Sequence, residues 1–160
     1  MKKLVVISDT HGNLQGVETL LPIIAENDYV LHLGDGARDM SAAWKACPDK
    51  VYVCAGNCDL FSPLPTEGEL EVEDVKIFYC HGHAYGVRSE RLSLALEAKR
   101  RGCRLALYGH THLPRIEEIE GVTLVNPGSL RKNVGEGGSY CYIVIHKDKI
   151  TPVLVGDQYF

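Results

Sequence analysis

The sequence of 160 residues contains no long apolar run, no low-complexity tract and no internal repeat. Its first apolar run, residues 4–7 after Met-Lys-Lys, stops at Ser8-Asp9 and is too short for a signal peptide or a membrane span. We interpret this run as a buried strand, and we expect no membrane partner. Because nothing marks an internal boundary, we predict a single domain over residues 1–160.

The chain also lacks a large excess of one charge, and its cysteines do not occur in closely spaced pairs. Lys and Arg number 17 against 21 Asp and Glu, a net charge of −4, so bulk electrostatics give no reason to expect a nucleic-acid partner. The six cysteines include no C-x-x-C pair, and four lie in or beside apolar runs, where a free thiol behaves as a small apolar side chain. Since no export signal is recognised, we expect free thiols and a cytoplasmic location.

What the sequence does contain, in its first third, is an alternation of apolar runs with helical patterns. The segments are residues 4–7, 14–26, 29–33, 38–46 and 51–54. This order is typical of β-α-β-α-β units, which form a parallel sheet.

The remainder predicts mostly antiparallel structure around one helix. Hairpins are expected at residues 69–79, 115–125 and 140–155, a helix at residues 89–101 and a further strand at residues 105–108. We expect the helix to pack through Leu92, Ala95 and Leu96. Together the two parts of the chain indicate an α/β fold with two sheets and outer helices.

Five of the predicted strands are each followed by a short turn that carries Asp, Asn or His. The turns are Asp9-Thr10-His11, Gly34-Asp35-Gly36, Gly56-Asn57-Cys58-Asp59, His81-Gly82-His83 and Gly109-His110-Thr111-His112. Ligands of α/β sheets gather outside the carboxyl ends of the strands. We therefore expect the five turns to converge on one site.

The spacing and chemistry of these residues favour a metal site. Asp9 and His11 are two positions apart, as are His110 and His112, so an extended backbone would point both members of a pair the same way. Oxygen ligands mixed with imidazoles suit manganese, iron or zinc, rather than a thiolate site or an all-oxygen calcium site. Two ions about 3.5–4 Å apart need a bridging ligand, and Asp35 between two glycines is placed to be one.

Each of these residues alone has a simpler explanation, because Asp and Asn commonly stabilise turns. The metal hypothesis rests on the set as a whole. His83 stays open between a substrate-facing and a plain surface residue, and we assign neither His32 nor His146 to the site. Asp59 is expected to orient its loop or to be an ordinary turn carboxylate. Arg88 and Arg131 are candidate phosphate contacts, and Asn126-Pro127-Gly128-Ser129 is either a phosphate-binding or a tight turn.

The five turns, taken in order, resemble the motifs of the calcineurin-like metallophosphoesterase superfamily. The short length, Cys58 in the third turn and the Asn126-Pro127-Gly128-Ser129 segment are most similar to the small bacterial and archaeal phosphodiesterases of the YfcE type. The resemblance implies a four-layer α-β-β-α sandwich with two mixed sheets and flanking helices. It assigns Asp9, His11 and His112 to one metal ion. It assigns Asn57, His81 and His110 to the other, and Asp35 to both.

The function implied is a divalent-metal-dependent phosphoesterase, first of all a phosphodiesterase with activity on phosphate monoesters left open, in which a hydroxide that bridges two metal ions attacks phosphorus in line. Asp35, Asn57, Cys58 and His81 are then the catalytic residues. The cofactors expected are two divalent ions per chain, manganese in vitro, with iron, nickel, zinc or magnesium as alternatives. The partner expected is a small phosphate ester, and a homo-oligomer stays open. The alternative function is a non-enzymatic, protein-binding scaffold on the same fold, like the retromer subunit of this superfamily. The full ligand set favours the enzyme.

Cys58 departs from the superfamily's pattern. Many members have His at this position, where it is thought to help protonate the leaving group. A thiol can donate a proton but cannot become a cation beside the phosphate. Protonation of the leaving group therefore falls either to no efficient acid or to His83.

Overall fold

The computed structural model describes residues 1–156 of the chain, so the last four residues of the predicted domain lie outside the described part. Ten strands and three α-helices are found within it. The strands are β1 Lys2–Ile7, β2 Tyr29–His32, β3 Val51–Val53, β4 Glu67–Val72, β5 Val75–Cys80, β6 Leu105–Leu107, β7 Arg115–Ile119, β8 Val122–Asn126, β9 Ser139–His146 and β10 Lys149–Gly156. The helices are α1 Leu14–Glu26, α2 Ser41–Ala46 and α3 Leu92–Arg100.

The strands form two mixed sheets of five. The first has the order β10-β9-β1-β2-β3, in which β1, β2 and β3 are parallel while β9 and β10 run antiparallel to their neighbours. The second has the order β4-β5-β6-β8-β7, with a parallel centre and an antiparallel strand at each edge. The prediction of two mixed sheets is confirmed, and all three predicted hairpins are present.

Three apolar layers hold the sheets and helices together. One lies between the sheets and includes Val6, Leu31 and Leu107. Because successive strand residues point to opposite faces, Val5 and Ile7 of the same β1 strand pack instead against α1 and α2. A third layer joins α3 to the outer face of the second sheet. Burial on both faces explains why the central strands are continuous apolar runs, and the layers confirm the α-β-β-α sandwich.

The helices differ in detail from the sequence-based expectation. The pattern at residues 38–46 is divided into a 3-10 turn at Ala37–Met40 followed by α2. In α3 the buried residues are Leu94, Ala95 and Ala98, whereas Leu92 and Leu96 are each 46% exposed. The expected packing face was therefore wrong except at Ala95. The two alanines let the helix backbone approach the sheet closely, and the leucine spacing of 92 and 96 fits a helical repeat equally well.

The register of the sheets brings the site together. Ile7 pairs with His32, and His32 with Val53, so β1, β2 and β3 end at the same edge of the first sheet. Tyr79 pairs with Leu107 at the ends of β5 and β6 in the second. Within residues 1–156, no helix is long and apolar enough to cross a bilayer.

Candidate metal centre

The structure brings side chains from the first, second, fourth and fifth turns into contact. The Nε2 atom of His112 lies 3.1 Å from Oδ1 of Asp9 and 3.3 Å from Nε2 of His11. The Nε2 atom of His81 lies 3.3 Å from Oδ2 of Asp35 and 3.2 Å from Nδ1 of His110. Six of the seven expected ligands thus meet at one place: Asp9, His11, Asp35, His81, His110 and His112.

These side chains form two adjoining groups of potential ligands. In one, ligand atoms of Asp9, His11 and His112 all lie within 4.8 Å of one another. In the other, the same holds for Asp35, His81 and His110. The Oδ2 atom of Asp35 also lies 3.8 Å from Nε2 of His11, which belongs to the first group. Asp35 therefore contacts both groups, as a bridging carboxylate would, and Oδ1 of Asp9 likewise lies 3.9 Å from Nε2 of His81 in the second group.

The carboxylate of Asp9 fits a cation. Its Oδ2 accepts hydrogen bonds from the hydroxyl of Ser8 and the backbone N–H of His110. Its Oδ1 is buried and accepts none within the described residues. Burial raises the pKa of Asp9, although the nearby imidazoles of His81 and His112 act against that shift. A buried, unpartnered carboxylate oxygen is costly. A divalent ion held with the neighbouring imidazoles would remove that cost, so the donor set fits the metal that the sequence implies.

The backbone of the turns is not extended, contrary to our expectation from the two-residue spacing. Five candidate ligands have a positive φ: Asp9 at 53°, His11 at 44°, Asp35 at 57°, His110 at 68° and His112 at 61°. Left-handed backbone is uncommon outside glycine, although Asp and His adopt it more readily than most residues. Such residues cost about 1–3 kcal/mol each and cluster at functional sites. Asp9 and His11 nevertheless converge, at 3.8 Å between Oδ1 and Nε2, whereas His110 and His112 belong to different groups.

Glycines let the turns approach closely. Gly34 has a φ of 95°, and a Cβ there would lie 2.5 Å from the N of Gly56 and 2.9 Å from Nδ1 of His81. At Gly109, a Cβ would lie 2.6 Å from Oδ2 of Asp9. Larger residues at either position would push apart the elements that carry the candidate ligands.

Asp59 fastens the second turn to the third. Its carboxylate accepts four backbone N–H groups, from Asp35 at 2.7 Å, Gly36 at 2.9 Å, Ala37 at 3.1 Å and Gly56 at 2.8 Å. Burial alone would raise the pKa of Asp59, but these hydrogen bonds hold it below its usual value. This geometry favours the loop-orienting role for Asp59 over that of an ordinary turn carboxylate.

The two most buried candidates of the second group are oriented by hydrogen bonds to backbone. Nδ1 of His81 donates to the carbonyl of Leu33 at 2.7 Å, which leaves Nε2 free to bind a metal. The N–H of Cys58 donates to Oδ1 of Asp35 at 2.8 Å, which leaves Oδ2 for the same purpose. Burial opposes both charges, yet the contact between His81 and Asp35 raises the pKa of the imidazole and lowers that of the carboxyl.

The pKa of His110 is shifted in the opposite direction to that of His81. Burial, followed by the charges of His81 and Arg88, lowers its pKa to about 4. The neutral imidazole that results is the form that binds metal ions.

Sequence reasoning missed a buried network behind the first turn. The hydroxyl of Thr10 donates to Oδ2 of Asp39 at 2.5 Å, and the N–H of Gly12 donates to the same oxygen at 2.8 Å. His32 lies 2.9 Å from the Thr10 hydroxyl and belongs to neither of the two ligand groups. Burial lowers its pKa to about 4. Nothing in the pattern around Asp39 distinguished it from a polar residue at the start of a helix.

The Asn126-Pro127-Gly128-Ser129 segment positions two of the turns. The amide of Asn126, fully buried, donates to the carbonyl of Gly109 and the hydroxyl of Thr111, each at 3.0 Å. The hydroxyl of Ser129 donates to the carbonyl of Asp9 at 2.8 Å. The polar atoms of Asn126 are thus engaged within the protein. This favours the tight-turn interpretation over a phosphate-binding one.

The remaining predicted residues lie around the two groups. Asn57 is exposed, and its amide lies 3.6 Å from the sulfur of Cys58. Among the described residues, no hydrogen bond joins its side chain to His81 or His110. Cys58 forms a third potential ligand group with His11 and Asp35.

His83 and the two arginines differ in how near they come to this site. The ring of His83 stands 5.4 Å from that of His81 and 6.1 Å from that of His110. Arg88 lines a cavity of about 370 Å³ with Arg91 and Arg115, beside the fifth turn. Arg131 is exposed next to Ser129, and His146 is exposed at the end of β9.

Comparison with known proteins identifies relatives that match nearly the whole chain. The sequence profile of the calcineurin-like phosphoesterase superfamily domain matches residues 1–149. The probable metallophosphoesterase YsnB of Bacillus subtilis is 29% identical over 150 residues, which is 92% of this chain and 87% of that protein. The phosphodiesterase YfcE of Escherichia coli is 28% identical, over 99% of this chain and 95% of that protein.

Solved structures give the same result for the fold. A predicted phosphoesterase from Streptococcus pneumoniae superposes with a TM-score of 0.83 at 26% identity, over 97% of this chain and 89% of that one. Vps29 from Entamoeba histolytica, complexed with Zn²⁺, superposes with a TM-score of 0.74 at 20% identity, over 96% and 98% of the two chains. At that identity the second likeness concerns the fold alone.

The role of Asp59 can be tested by Asp59→Ala. Four backbone N–H groups lose their charged acceptor, so we expect the free energy of unfolding of the metal-free protein to fall by about 3 kcal/mol. Urea unfolding at neutral pH measures this change. Asp148→Ala, at an exposed hairpin turn, is the matched control and should cost well under about 1 kcal/mol. Equal effects of the two substitutions would mean that Asp59 does not hold the turns together.

Proposed function

The chain belongs to the calcineurin-like phosphoesterase superfamily, and from that membership we propose that it is a phosphodiesterase with a binuclear centre of divalent metal ions. The substrate proposed is a small phosphate ester. One observation carries the proposal. Two groups of three potential ligands adjoin each other, and Oδ2 of Asp35 lies 3.3 Å from His81 in one and 3.8 Å from His11 in the other. A centre with a single ion would not need the second group.

We propose that Asp9, His11 and His112 hold one ion. The other ion would be held by Asn57, His81 and His110, and Asp35 would be shared by both. When bound, two divalent ions supply a water of lowered pKa and a positive charge that polarises the phosphoryl oxygens. Manganese is the ion proposed for activity in vitro.

The chain's own contribution is to fix these ligands before substrate arrives. Asp59 and the N–H of Cys58 hold the Asp35 loop and carboxylate, and Leu33 fixes the tautomer of His81. Such second contacts orient metal ligands and raise their affinity. The strained left-handed turns are held in the same way, so the geometry needs little rearrangement on binding.

All six cysteines are free thiols, and the four within apolar packing are Cys54, Cys80, Cys103 and Cys141. Free thiols in this number suit a reducing compartment, and we propose the cytoplasm.

The competing function is a protein-binding scaffold. It would be favoured by a contiguous apolar patch far from the site. The most exposed apolar side chains include Leu60 and Phe61, at 69% and 100%, and they follow the third turn directly. They border the candidate centre instead of lying far from it, which supports the enzyme.

The number of metal ions is the first test. Chelated protein that is reloaded with Mn²⁺ should bind two ions per chain, because the ligands form two groups. Isothermal titration and elemental analysis measure this number. Hydrolysis of bis(4-nitrophenyl) phosphate should be lost on chelation and return with Mn²⁺. A single ion per chain, or full activity in chelator, would refute the binuclear centre. A protein that binds no Mn²⁺ and stays inactive after reloading would leave the scaffold as the better hypothesis.

The bridging role of Asp35 is the second test. Asp35→Asn removes a charge shared by both ions, whereas Asn57→Ala removes one neutral ligand. We expect Asp35→Asn to lower kcat/KM at least about tenfold more, a difference of about 1.4 kcal/mol in the activation free energy. Asp74→Asn, at the exposed β4–β5 turn, controls for loss of charge alone. Equal losses from the two site variants, with metal content matched, would show that Asp35 does not bridge.

The proton donor is the third test. Burial, followed by the charge of Asp35, raises the pKa of Cys58, and the thiol cannot form a cation. If no efficient acid is present, kcat should fall steeply as leaving groups become more basic, since general-acid catalysis is worth about 10²–10⁴-fold. Substituted phenyl diesters of equal size measure that slope.

Two variants separate the candidate acids. Cys58→His should flatten the slope by speeding the poor leaving groups, while His83→Ala should leave it unchanged. If His83 already donates the proton, its removal steepens a slope that is flat in the wild type. A flat wild-type slope with chemistry rate-limiting contradicts our account of Cys58.

A further inference from the structure

A cleft of about 760 Å³ opens beside the candidate metal centre. Three residues of the centre line it, His11, Asp35 and Cys58. The cleft is also lined by the apolar residues Trp44, Leu60, Phe61, Pro63 and Leu64. We call the whole cleft the apolar cleft. Pockets for small molecules typically measure about 300–1,000 Å³ and are mostly apolar with a few polar groups. The apolar cleft therefore has the size and composition of a site for an organic group joined to the reacting phosphate.

Phe61 presents its ring to solvent without contact in the described structure. Its side chain is 100% exposed, and its backbone has a φ of 61°, in the left-handed region that Phe rarely adopts. The adjoining loop is nevertheless tied down, since the N–H of Ala55 donates to the carbonyl of Pro65 at 2.8 Å and that of Leu64 to the hydroxyl of Ser62 at 3.2 Å. A strained, exposed aromatic on an anchored loop suggests a functional role for that ring.

Two of the carboxylates in this cleft are already hydrogen-bonded within the protein. Asp39 already accepts from Thr10 and Gly12, and Asp59 accepts four backbone N–H groups. At the rim, the guanidinium of Arg38 makes no hydrogen bond or ion pair with any residue of the range 1–156. An exposed cation next to aromatic and aliphatic side chains suits a flat π-system, by stacking and by cation–π attraction.

We propose that the apolar cleft binds an aromatic group esterified to the phosphorus, an aryl ring or a nucleobase on its nucleoside. The inference rests on the proposed phosphodiesterase function, and it adds the substrate class. The phosphate lies at the candidate ligands, and the aromatic group occupies the part of the cleft that Cys58, Trp44 and Phe61 line. Contact is mainly apolar, so the site selects aromatic character and size more than a particular pattern of hydrogen bonds.

The sequence supplies a direct reporter of occupancy, because Trp44 is the single tryptophan of the 160 residues. Adenosine added to the metal-free protein should change the fluorescence of Trp44 in a saturable way. Ribose, which lacks the aromatic ring, should not change it. Phe61→Ala should weaken adenosine binding about tenfold, as expected for loss of one stacking partner. Leu96→Ala, which removes an exposed leucine on α3 far from the cleft in sequence, is the matched control and should have no effect.

Kinetics then test whether the cleft acts on substrate. Two diesters with leaving groups of matched acidity, one aromatic and one aliphatic, are compared in the Mn²⁺-loaded protein. Phe61→Ala and Leu60→Ala should raise KM for the aromatic ester about tenfold and leave its kcat and the aliphatic ester almost unchanged. Equal effects on both esters would overturn the proposal.

The outcomes separate this proposal from the proposed function. Diesterase activity without an aromatic preference, and without a response of Trp44, leaves the enzyme and rejects the cleft site. A response of Trp44 without metal binding or hydrolysis supports the cleft site and rejects the phosphodiesterase. If the chain dimerises in sedimentation equilibrium and Phe61→Ala abolishes the dimer, a second copy covers the cleft and the proposal is wrong.

Discussion

The site depends on a hydrogen bond that crosses between the two sheets. His81 follows β5 of the second sheet, and its Nδ1 donates to the carbonyl of Leu33, which follows β2 of the first. The N–H of His110 makes a parallel contact with Oδ2 of Asp9 at 3.0 Å. The first sheet carries the two carboxylates and His11, while the second carries the other imidazoles. The two adjoining groups, Asp9 with His11 and His112 and Asp35 with His81 and His110, each combine residues from both sheets, so the apolar layer between the sheets aligns these ligands as well as stabilising the fold.

This arrangement requires unfavourable backbone conformations in the turns. Left-handed φ values at Asp9, Asp35 and His110 would relax if those turns were free. Hydrogen-bonded polar side chains, one buried and two half-buried, oppose that relaxation by joining segments that are distant in sequence. Asp59 links the turns after β2 and β3, while Asn126 and Ser129 link β8 to the turns after β6 and β1. Such hydrogen-bonded polar groups rigidify a site, which suits ligands that must keep a fixed geometry.

The elements and the convergence of the turns could be predicted from the sequence, because apolar periodicity and polar strand ends are local signals. The packing face of α3 could not, since Leu92 and Leu96 repeat as regularly as the residues that are buried. Nor could the role of Asp39, whose partners Thr10 and Gly12 lie in another turn. The reason given for pairing His110 with His112 was also wrong, because an extended backbone does not occur there. In all three cases the structure is determined by contacts between segments that are distant in sequence.

Cys58 connects the metal chemistry to the apolar cleft. It belongs to a potential ligand group with His11 and Asp35, and it lines the cleft that Phe61 borders. A thiol beside a carboxylate is a weak acid, so a leaving group that departs past Cys58 receives little help from a proton. Aromatic alcohols are the leaving groups that need that help least, because their oxyanions are stabilised by the ring. An apolar wall that favours aromatic groups and a residue that cannot become a cation are therefore consistent features of one site. A cationic His at position 58 would bring charge to the edge of an apolar surface and suit a more polar, more basic leaving group.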